Sequence, residues 1–282
     1  MKIRILLLCG LLLGAITVVR AADEPAKTPS PLESQLMSLI QKIKAKLATG
    51  ARTEAALADE LKGFDALLAE HKDEKTEEVG QVLMMKALLY VQVLGEFEKG
   101  GQLLTQVKTD FPGTQVAKAA ESVLEKMEQQ KASMALQESL KPGVAFPDFT
   151  EKDLAGAPLS ISGLKGKVVL VDFWATWCGP CVAELPNVLA AYAKYHDKGF
   201  EIVGISLDQS EVALKNFVKE KAMTWPQYFD GRGWDSKLGK QYGVTSIPAT
   251  YLLGRDGHIV AKDLRGPALE AELVRLLGET KS

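Results

Sequence analysis

Residues 171–181 read Val-Asp-Phe-Trp-Ala-Thr-Trp-Cys-Gly-Pro-Cys. The first four of these residues end an apolar, β-branched run over Lys167–Trp174, and such a run is typical of a strand buried in the middle of a sheet. A helix is predicted directly afterwards, from about Gly179 to Tyr195. Cys178 and Cys181 therefore lie where a buried strand ends and a helix begins.

A cysteine at the start of a helix faces unpaired backbone N–H groups and the positive end of the helix dipole. Both stabilise a thiolate, and a Cys-X-X-Cys pair can have a thiol pKa near ~7 instead of ~8.5. We therefore expect Cys178 to be an exposed nucleophile that attacks a substrate disulfide. Cys181, turned inward, should then resolve the mixed disulfide that forms between Cys178 and the substrate. An inert structural disulfide is the alternative, but so short a loop gains little from closure entropy. Zinc needs four ligands, and the only other cysteine, Cys9, lies in the predicted signal described below.

Strands alternate with helices after the cysteine pair, and the chain ends in a hairpin and a helix. The predicted strands are Phe200–Leu207 and Trp225–Phe229, the predicted helices are Glu211–Lys221, Ser236–Tyr242 and Pro267–Leu277, and the predicted hairpin joins Ala249–Leu253 to His258–Lys262 through the turn Gly254–Gly257. This order of elements predicts an α/β fold, a mixed sheet with helices on both faces.

These features resemble the thioredoxin superfamily from about Val144 to the C-terminus, roughly half the chain. The motif Cys-Gly-Pro-Cys-Val-Ala-Glu-Leu-Pro, which starts at Cys178, is similar to the TlpA and ResA type of extracytoplasmic thioredoxin-like protein. The stretch from Cys181 to Pro248 is longer than plain thioredoxin needs, and it fits the extra strand and helix of that group. The resemblance implies a thioredoxin-like fold and a thiol–disulfide oxidoreductase. No cofactor or metal is expected.

The resemblance also implies which residues contact substrate beside the cysteines. They are Trp177, Gly179, Pro180, Ile247 and Pro248. The pair Ile247-Pro248 matches the loop whose cis-proline lies against the disulfide and leaves a strand end open to a substrate backbone. An ordinary trans turn is the alternative, since cis bonds occur at only ~5–6% of such positions. Pro186 matches the proline that kinks the active-site helix.

Two acidic residues near the motif are candidates for proton transfer. Asp172 interrupts the apolar strand, and a carboxyl group buried there without a partner should have a raised pKa. In thioredoxin an acid at this place exchanges protons with the resolving thiol, although TlpA-like proteins often carry other residues there. Glu184 matches a glutamate that lies near the thiols in the TlpA and ResA type, where it could exchange a proton with Cys181. The alternatives are a polar residue satisfied by water at Asp172 and a solvated helix charge at Glu184.

The N-terminus has the pattern of a secretory signal. Lys2 and Arg4 precede an apolar run over Ile5–Val19, and cleavage is predicted after Ala21. The run falls short of the ~20 residues that a membrane span needs, although an uncleaved anchor is the alternative. Residues 22–31 are polar and rich in proline, and we expect them to form a flexible tether. The rest of the chain is therefore predicted to be periplasmic or secreted.

Residues 32–140 are predicted to form an all-α domain of four or five helices, since apolar residues recur at three- and four-residue spacing. One stretch resembles a tetratricopeptide repeat, with Gly95, Phe97 and Pro112 at that family's spacing, although Gly100 stands where the family prefers alanine and a second copy is not evident. A bundle that only packs and spaces is the alternative to a surface that binds a partner. Lys141-Pro142-Gly143 breaks the helical pattern, so the thioredoxin-like domain is predicted over residues 141–282.

Disulfide exchange with a protein substrate is the leading hypothesis for function. The Gly-Pro pair between the cysteines favours the reducing direction by resemblance to thioredoxin, with a membrane-embedded donor restoring the dithiol. The alternatives are a thiol peroxidase and a non-catalytic adaptor that uses the helical domain. A net charge of −2 gives no reason to expect nucleic acid as a partner.

Overall fold

The computed structural model describes residues 29–278. The predicted signal, its cleavage after Ala21 and most of the predicted tether lie outside these residues. Helix α1 begins at Pro31, and Ser30 caps it: Ser30 Oγ accepts from the Glu33 N–H at 3.1 Å, and the Ser30 N–H donates to Glu33 Oε2 at 2.9 Å. This reciprocal pair satisfies N–H groups that the helix start would leave free. None of the helices within the described residues is long and apolar enough to span a membrane.

Several helices form the first part of the described chain, as predicted. They are α1 Pro31–Ala48, α2 Ala58–Glu70, α3 Glu77–Leu89, α4 Phe97–Asp110 and α5 Gln115–Ser139, with one π-helical turn over Tyr90–Leu94. The apolar stripe of α1 faces the core, where Leu36, Leu39 and Ile43 are buried. Burial of such a stripe supplies most of the stability of a helix of this length.

The stretch with tetratricopeptide-like spacing forms a turn and helix α4. Gly95 adopts φ 71°, a left-handed conformation that favours glycine, and it ends the turn before α4. Gly100 lets α3 and α4 approach closely, because a Cβ there would overlap Val91 Cγ2 and lie 3.1 Å from the main-chain oxygen of Ala87. The glycine at the position where the repeat family prefers alanine therefore has a packing reason.

The described chain divides into two compact units, one ending at Glu128 and the other beginning at Gln129, within α5. The last turns of α5 pack in the second unit. Tyr251 Oη donates to Gln137 Oε1 at 3.0 Å, and Lys262 Nζ donates to the main-chain oxygen of Gln137 at 2.8 Å. The second unit therefore includes the twelve residues 129–140, which precede the composition break at Lys141.

The second unit contains a two-stranded ladder and a five-stranded mixed sheet. The ladder is β1 Glu151–Lys152 with β2 Pro158–Leu159, and the elements that follow it are β3 Val168–Trp174, α6 Gly179–Tyr195, β4 Phe200–Ser206, α7 Glu211–Glu220, β5 Gln227–Tyr228, α8 Lys237–Gln241, β6 Ala249–Leu253, β7 Ile259–Lys262 and α9 Pro267–Leu277. The strand order in the mixed sheet is β5-β4-β3-β6-β7. Strands β3, β4 and β5 are parallel, whereas β6 pairs antiparallel with both β3 and β7. The thioredoxin-like fold predicted for this half of the chain is confirmed.

Strand β3 presents different side chains to the two faces of the sheet. Phe173 packs edge-on against Tyr242, at the end of α8, with ring centroids 5.8 Å apart. On the other face Leu170 and Trp174 line a cavity together with side chains of α6 and α9. Helices therefore cover both faces, as predicted, and β3 is the central strand that carries the cysteine motif at its carboxyl end.

Candidate active site

Cys178 and Cys181 form a disulfide with an S–S distance of 1.99 Å and a Cα–Cα distance of 5.3 Å. Cys178 is the N-cap of α6, and its Sγ accepts from the Cys181 N–H at 3.3 Å. The sulfur thus occupies the place that a serine or aspartate oxygen takes in an ordinary helix cap. An N–H donor and the positive end of α6 both face this sulfur, which is the arrangement that stabilises a thiolate once the disulfide is reduced.

The expectation that Cys178 is exposed is wrong for this disulfide form. Cys178 is 5% exposed and Cys181 is 8% exposed, so the first cysteine is no more accessible than the second. The reason is that Cys178 Sγ is directed at the other sulfur and at the Cys181 amide, within the apolar core of the unit. The exposed surface beside the pair comes from its neighbours, and Trp177 is 53% exposed.

The peptide bond between Ile247 and Pro248 is cis, as predicted. Both residues are half-buried in the loop directly before β6, and Pro248 lines the same cavity as Cys181. Arg265 holds this loop, because its Nη2 donates to the main-chain oxygen of Pro248 at 2.8 Å. Pro186 lies inside α6, also as predicted. The folded chain therefore brings the loop before β6 to the cysteine-bearing helix.

A cavity of about 20 Å³ lies behind Cys181. Its polar lining consists of Asp172, Glu184, Thr250 and Arg265, and apolar side chains form the rest. A space of this size corresponds to about one water molecule. Cys181 and both residues predicted to transfer protons, Asp172 and Glu184, therefore line one cavity.

Asp172 is the acidic residue whose pKa the site changes most clearly. Burial raises the pKa of this carboxyl group to about 7; the positive charge of Arg265 opposes the shift and the negative charge of Glu184 adds to it. The raised pKa predicted from the sequence is therefore confirmed. A group that titrates near neutral pH can take up and release a proton during turnover.

Glu184 is half-buried, and both of its carboxylate oxygens are hydrogen-bonded. Oε1 accepts from the Gly266 N–H at 2.6 Å, and Oε2 accepts from Asn187 Nδ2 at 3.1 Å. Gly266 is the N-cap of α9, where backbone N–H groups lack partners and negative charge is favourable. Glu184 thus ties α6 to the start of α9 in addition to lining the cavity, and its part in proton transfer stays a prediction.

Asp208 is a site residue that the sequence analysis missed. It is buried, and its carboxylate accepts hydrogen bonds from the Thr176 N–H at 3.1 Å, Thr176 Oγ1 at 2.6 Å and Ser206 Oγ at 2.8 Å. These bonds fix the loop that precedes Cys178. The position of Asp208 directly after a buried strand could have indicated that it lies at the site, since parallel strands bring their carboxyl ends to one edge of a sheet.

Arg265 was missed as well, and the local sequence carries no signal for it. It follows the final hairpin in the turn before α9, and only the folded chain places it beside Pro248 and Asp172. Over residues 29–278, no group of three or more histidine, cysteine or acidic side chains is arranged to hold a metal ion. The site consists of sulfur atoms, carboxyl groups and one guanidinium group.

A cysteine pair at a helix start next to the central strand, with a cis-proline from the loop before the neighbouring strand lining the same cavity, defines a thioredoxin-like redox protein. Residues 141–275 match the Redoxin family. The thiol-disulfide oxidoreductase ResA of Bacillus thuringiensis subsp. konkukian (strain 97-27) is 34% identical over 141 residues, which cover 50% of this chain and 79% of the relative. The chain belongs to the TlpA/ResA-like thiol-disulfide oxidoreductases of the thioredoxin superfamily, and it is an oxidoreductase.

A second curated relative agrees with this family. ResA of Bacillus subtilis (strain 168) is 34% identical over 129 residues, covering 46% of this chain and 70% of the relative. Among solved structures, a thiol-disulfide oxidoreductase from Bacteroides fragilis NCTC 9343 is 32% identical, with 48% of this chain and 100% of that chain covered and a TM-score of 0.45.

Proposed function

We propose that this protein reduces disulfide bonds in protein substrates through Cys178 and Cys181, outside the cytoplasm. The observation that carries the proposal is the Cys178–Cys181 disulfide at the N-terminus of α6, with Cys178 Sγ bonded to a backbone N–H. A reduced pair in this position has a stabilised thiolate next to a resolving thiol. The Gly179-Pro180 pair supports the reducing direction by its resemblance to thioredoxin.

The reaction starts from the reduced dithiol. The Cys178 thiolate attacks one sulfur of the substrate disulfide, so that a mixed disulfide forms and the other substrate sulfur leaves as a thiolate that takes a proton. Cys181 then loses its proton and attacks Cys178 Sγ, which breaks the mixed disulfide and releases the second substrate thiolate. Two electrons pass from the dithiol to the substrate, and the enzyme is left with the Cys178–Cys181 disulfide.

Asp172 is proposed to accept the proton of Cys181. It lines the same cavity as Cys181, and a space of about one water molecule separates the cavity walls. With a pKa of about 7, the carboxyl group is partly ionised at neutral pH and can act as a base. Glu184 is proposed to assist through its negative charge, which opposes ionisation of Asp172 and so keeps its pKa near neutrality.

The substrate is proposed to lie along the exposed residues around the disulfide. Trp177, Gly179 and Pro180 are exposed, and the Ile247–Pro248 loop is half-buried beside them. A proline at this place has no N–H to close the strand end, so the loop stays open to a substrate backbone. A protein substrate therefore fits this surface.

The location and partners are proposed from the N-terminal sequence and the resemblance. The basic and apolar pattern of residues 2–19 supports export, so the working compartment is the periplasm or the exterior. The proposed electron donor is a membrane-embedded dithiol protein that returns two electrons to the disulfide. The helical unit is proposed to bind a protein partner.

Measurement of the reduction potential tests the proposal. A thioredoxin-like reductase should have a potential of about −270 mV, and a value above about −150 mV would overturn the reducing direction.

Turnover with insulin and a chemical reductant should need both cysteines, so Cys178→Ser and Cys181→Ser should each abolish it. Cys181→Ser should also accumulate a mixed disulfide in cells, whose partner identifies the substrate. Rapid peroxide consumption without a disulfide substrate would favour a thiol peroxidase instead.

A further inference from the structure

Two tryptophans form an exposed pair beside the disulfide. The rings of Trp177 and Trp234 have centroids 5.9 Å apart and planes inclined by 59°. Trp177 is 53% exposed and Trp234 is 49% exposed, whereas Trp174 and Trp225 are both buried. Two large apolar side chains left half in water at one place are more typical of a binding surface than of packing.

The backbone holds both rings in position. Thr176, directly before Trp177, is bonded to the buried carboxylate of Asp208. On the other side, Asp230 accepts from the Arg232 N–H at 3.1 Å and from the Lys237 N–H at 2.7 Å, so it closes the segment that carries Trp234. A surface fixed in this way loses little conformational entropy when a ligand binds to it.

The pair is continuous with the reacting sulfur. Trp177 directly precedes Cys178, so its exposed ring belongs to the surface next to the reacting sulfur. Trp234 extends this surface from a one-turn helix over Gly233–Asp235, in the segment between β5 and α8. The rings are tilted, and an inclined pair leaves space against which a third apolar ring can pack edge-on or offset.

We propose that Trp234 extends the substrate surface at Trp177 into a docking surface, and that the two rings together bind an apolar or aromatic side chain next to the substrate cysteine. The proposal rests on the proposed disulfide-reductase function and adds a substrate class to it. Small disulfides and cystines flanked by polar residues lack the side chain that fills this surface. Trp234 is a specificity-determining residue that contacts the substrate away from the reacting atoms.

The test compares two oxidised peptides that differ at one position beside the cystine, one with Phe and one with Ser. The full-length wild-type enzyme should show a kcat/KM about 10-fold higher for the Phe peptide, since one well-packed aromatic contact corresponds to about that factor. Trp234→Ala should bring the ratio close to one, and Trp234→Phe should restore part of it. Val144→Ala, which shortens an exposed apolar side chain near the opposite end of the sheet, should keep the wild-type ratio.

Three outcomes separate this inference from the function on which it rests. A wild-type ratio near one, or a ratio that Trp234→Ala leaves unchanged, would overturn the docking surface. Failure of the wild-type enzyme to reduce either peptide or 2-hydroxyethyl disulfide would instead overturn the reductase function. A lowered ratio in Trp234→Ala, with the melting temperature unchanged, would support the docking surface.

Discussion

Arg265 donates a hydrogen bond from Nη2 to the main-chain oxygen of Pro248 at 2.8 Å. The next residue, Gly266, donates its N–H to Glu184 Oε1 at 2.6 Å. Two consecutive residues before α9 therefore hold both the cis-proline loop and helix α6, which Cys178 caps. Arg265 also places its guanidinium charge at the cavity that Asp172 lines.

Replacing Arg265 by Met should change the pH dependence of disulfide reduction. The positive charge of Arg265 lowers the pKa of Asp172, so its removal should move that pKa above about 7. The rate of disulfide reduction should then rise at a higher pH than in the wild type. The free energy of unfolding should fall by about 2 kcal/mol, because the hydrogen bond from the charged Arg265 side chain to Pro248 is lost. A pH–rate profile for insulin reduction, with urea unfolding, checks both effects.

Arg275→Met is the matched control for this change. Arg275 also lies on α9, but its side chain is 59% exposed, and its acidic partner among the described residues is Glu272 at the surface. Such an ion pair contributes about 0–1 kcal/mol. The interpretation of Arg265 would be wrong if both variants kept the wild-type pH profile.

Asp172→Asn should make stability less dependent on pH. Burial raises the pKa of Asp172 from 3.8 to about 7, so between these pH values the folded chain holds a proton that the unfolded chain has lost. The wild type therefore loses stability as pH rises from about 4 through about 7. The Asn variant cannot ionise, so we expect it to be more stable by roughly 2–4 kcal/mol at pH 8 and about equal at pH 4.

Urea unfolding of the disulfide form at several pH values measures this difference. The same variant should slow the resolving step by roughly 10- to 100-fold, because Cys181 loses its proposed base. A stability difference that stays constant from pH 4 to pH 8 would show that Asp172 does not titrate in this range.

Asp208→Ala should destabilise the second unit by about 3 kcal/mol. The substitution removes the acceptor for the Thr176 N–H and for two hydroxyl groups, and buried donors without a partner are costly. Glu211→Gln is the control, since Glu211 is exposed and, within residues 29–278, its ion pair is the surface one with Lys215 at i,i+4. Urea unfolding should separate the two variants clearly, and equal unfolding midpoints would contradict the role given to Asp208.

Replacing two neighbouring glycines of α4 by alanine should change the stability of the helical unit in opposite directions. A Cβ at Gly100 would overlap Val91 Cγ2, so Gly100→Ala should destabilise the helical unit by about 1–3 kcal/mol. A Cβ at Gly101 would meet only Met127 Cε, at 3.7 Å, so Gly101→Ala should gain up to about 1 kcal/mol from helix propensity. Thermal unfolding followed by circular dichroism compares the two variants, and a stabilised Gly100→Ala would contradict the close packing of α3 and α4.

Local sequence patterns were sufficient to predict much of this structure. The bounds of α6 and α9 follow from periodicity and from Gly and Pro signals at their ends, and the structure gives the same residues, Gly179–Tyr195 and Pro267–Leu277. The cis bond before Pro248 followed from the resemblance. These features depend on residues that are close together in the chain or on a motif shared with a family.

Long-range contacts were not predictable in the same way. The contact of Arg265 with Pro248 joins two segments across the β6–β7 hairpin, and the bonds between Asp208 and Thr176 join the ends of two parallel strands. The Trp177–Trp234 pair likewise depends on how two distant loops pack. The burial of Cys178 was not predicted, because the argument from the helix N-terminus concerns the reduced thiolate. In the disulfide form the sulfur of Cys178 is turned toward Cys181.

The acidity of Cys178 in the reduced enzyme is the property on which disulfide exchange depends most directly. Alkylation rates of the mature, fully reduced chain, followed over pH by mass spectrometry of the two cysteine peptides, measure it. The helix N-terminus and the Cys181 N–H should bring the pKa of Cys178 toward ~7, with Cys181 titrating at higher pH. If both thiols titrated near ~8.5, like free cysteine in water, the site would lack the activated nucleophile that we assign to it.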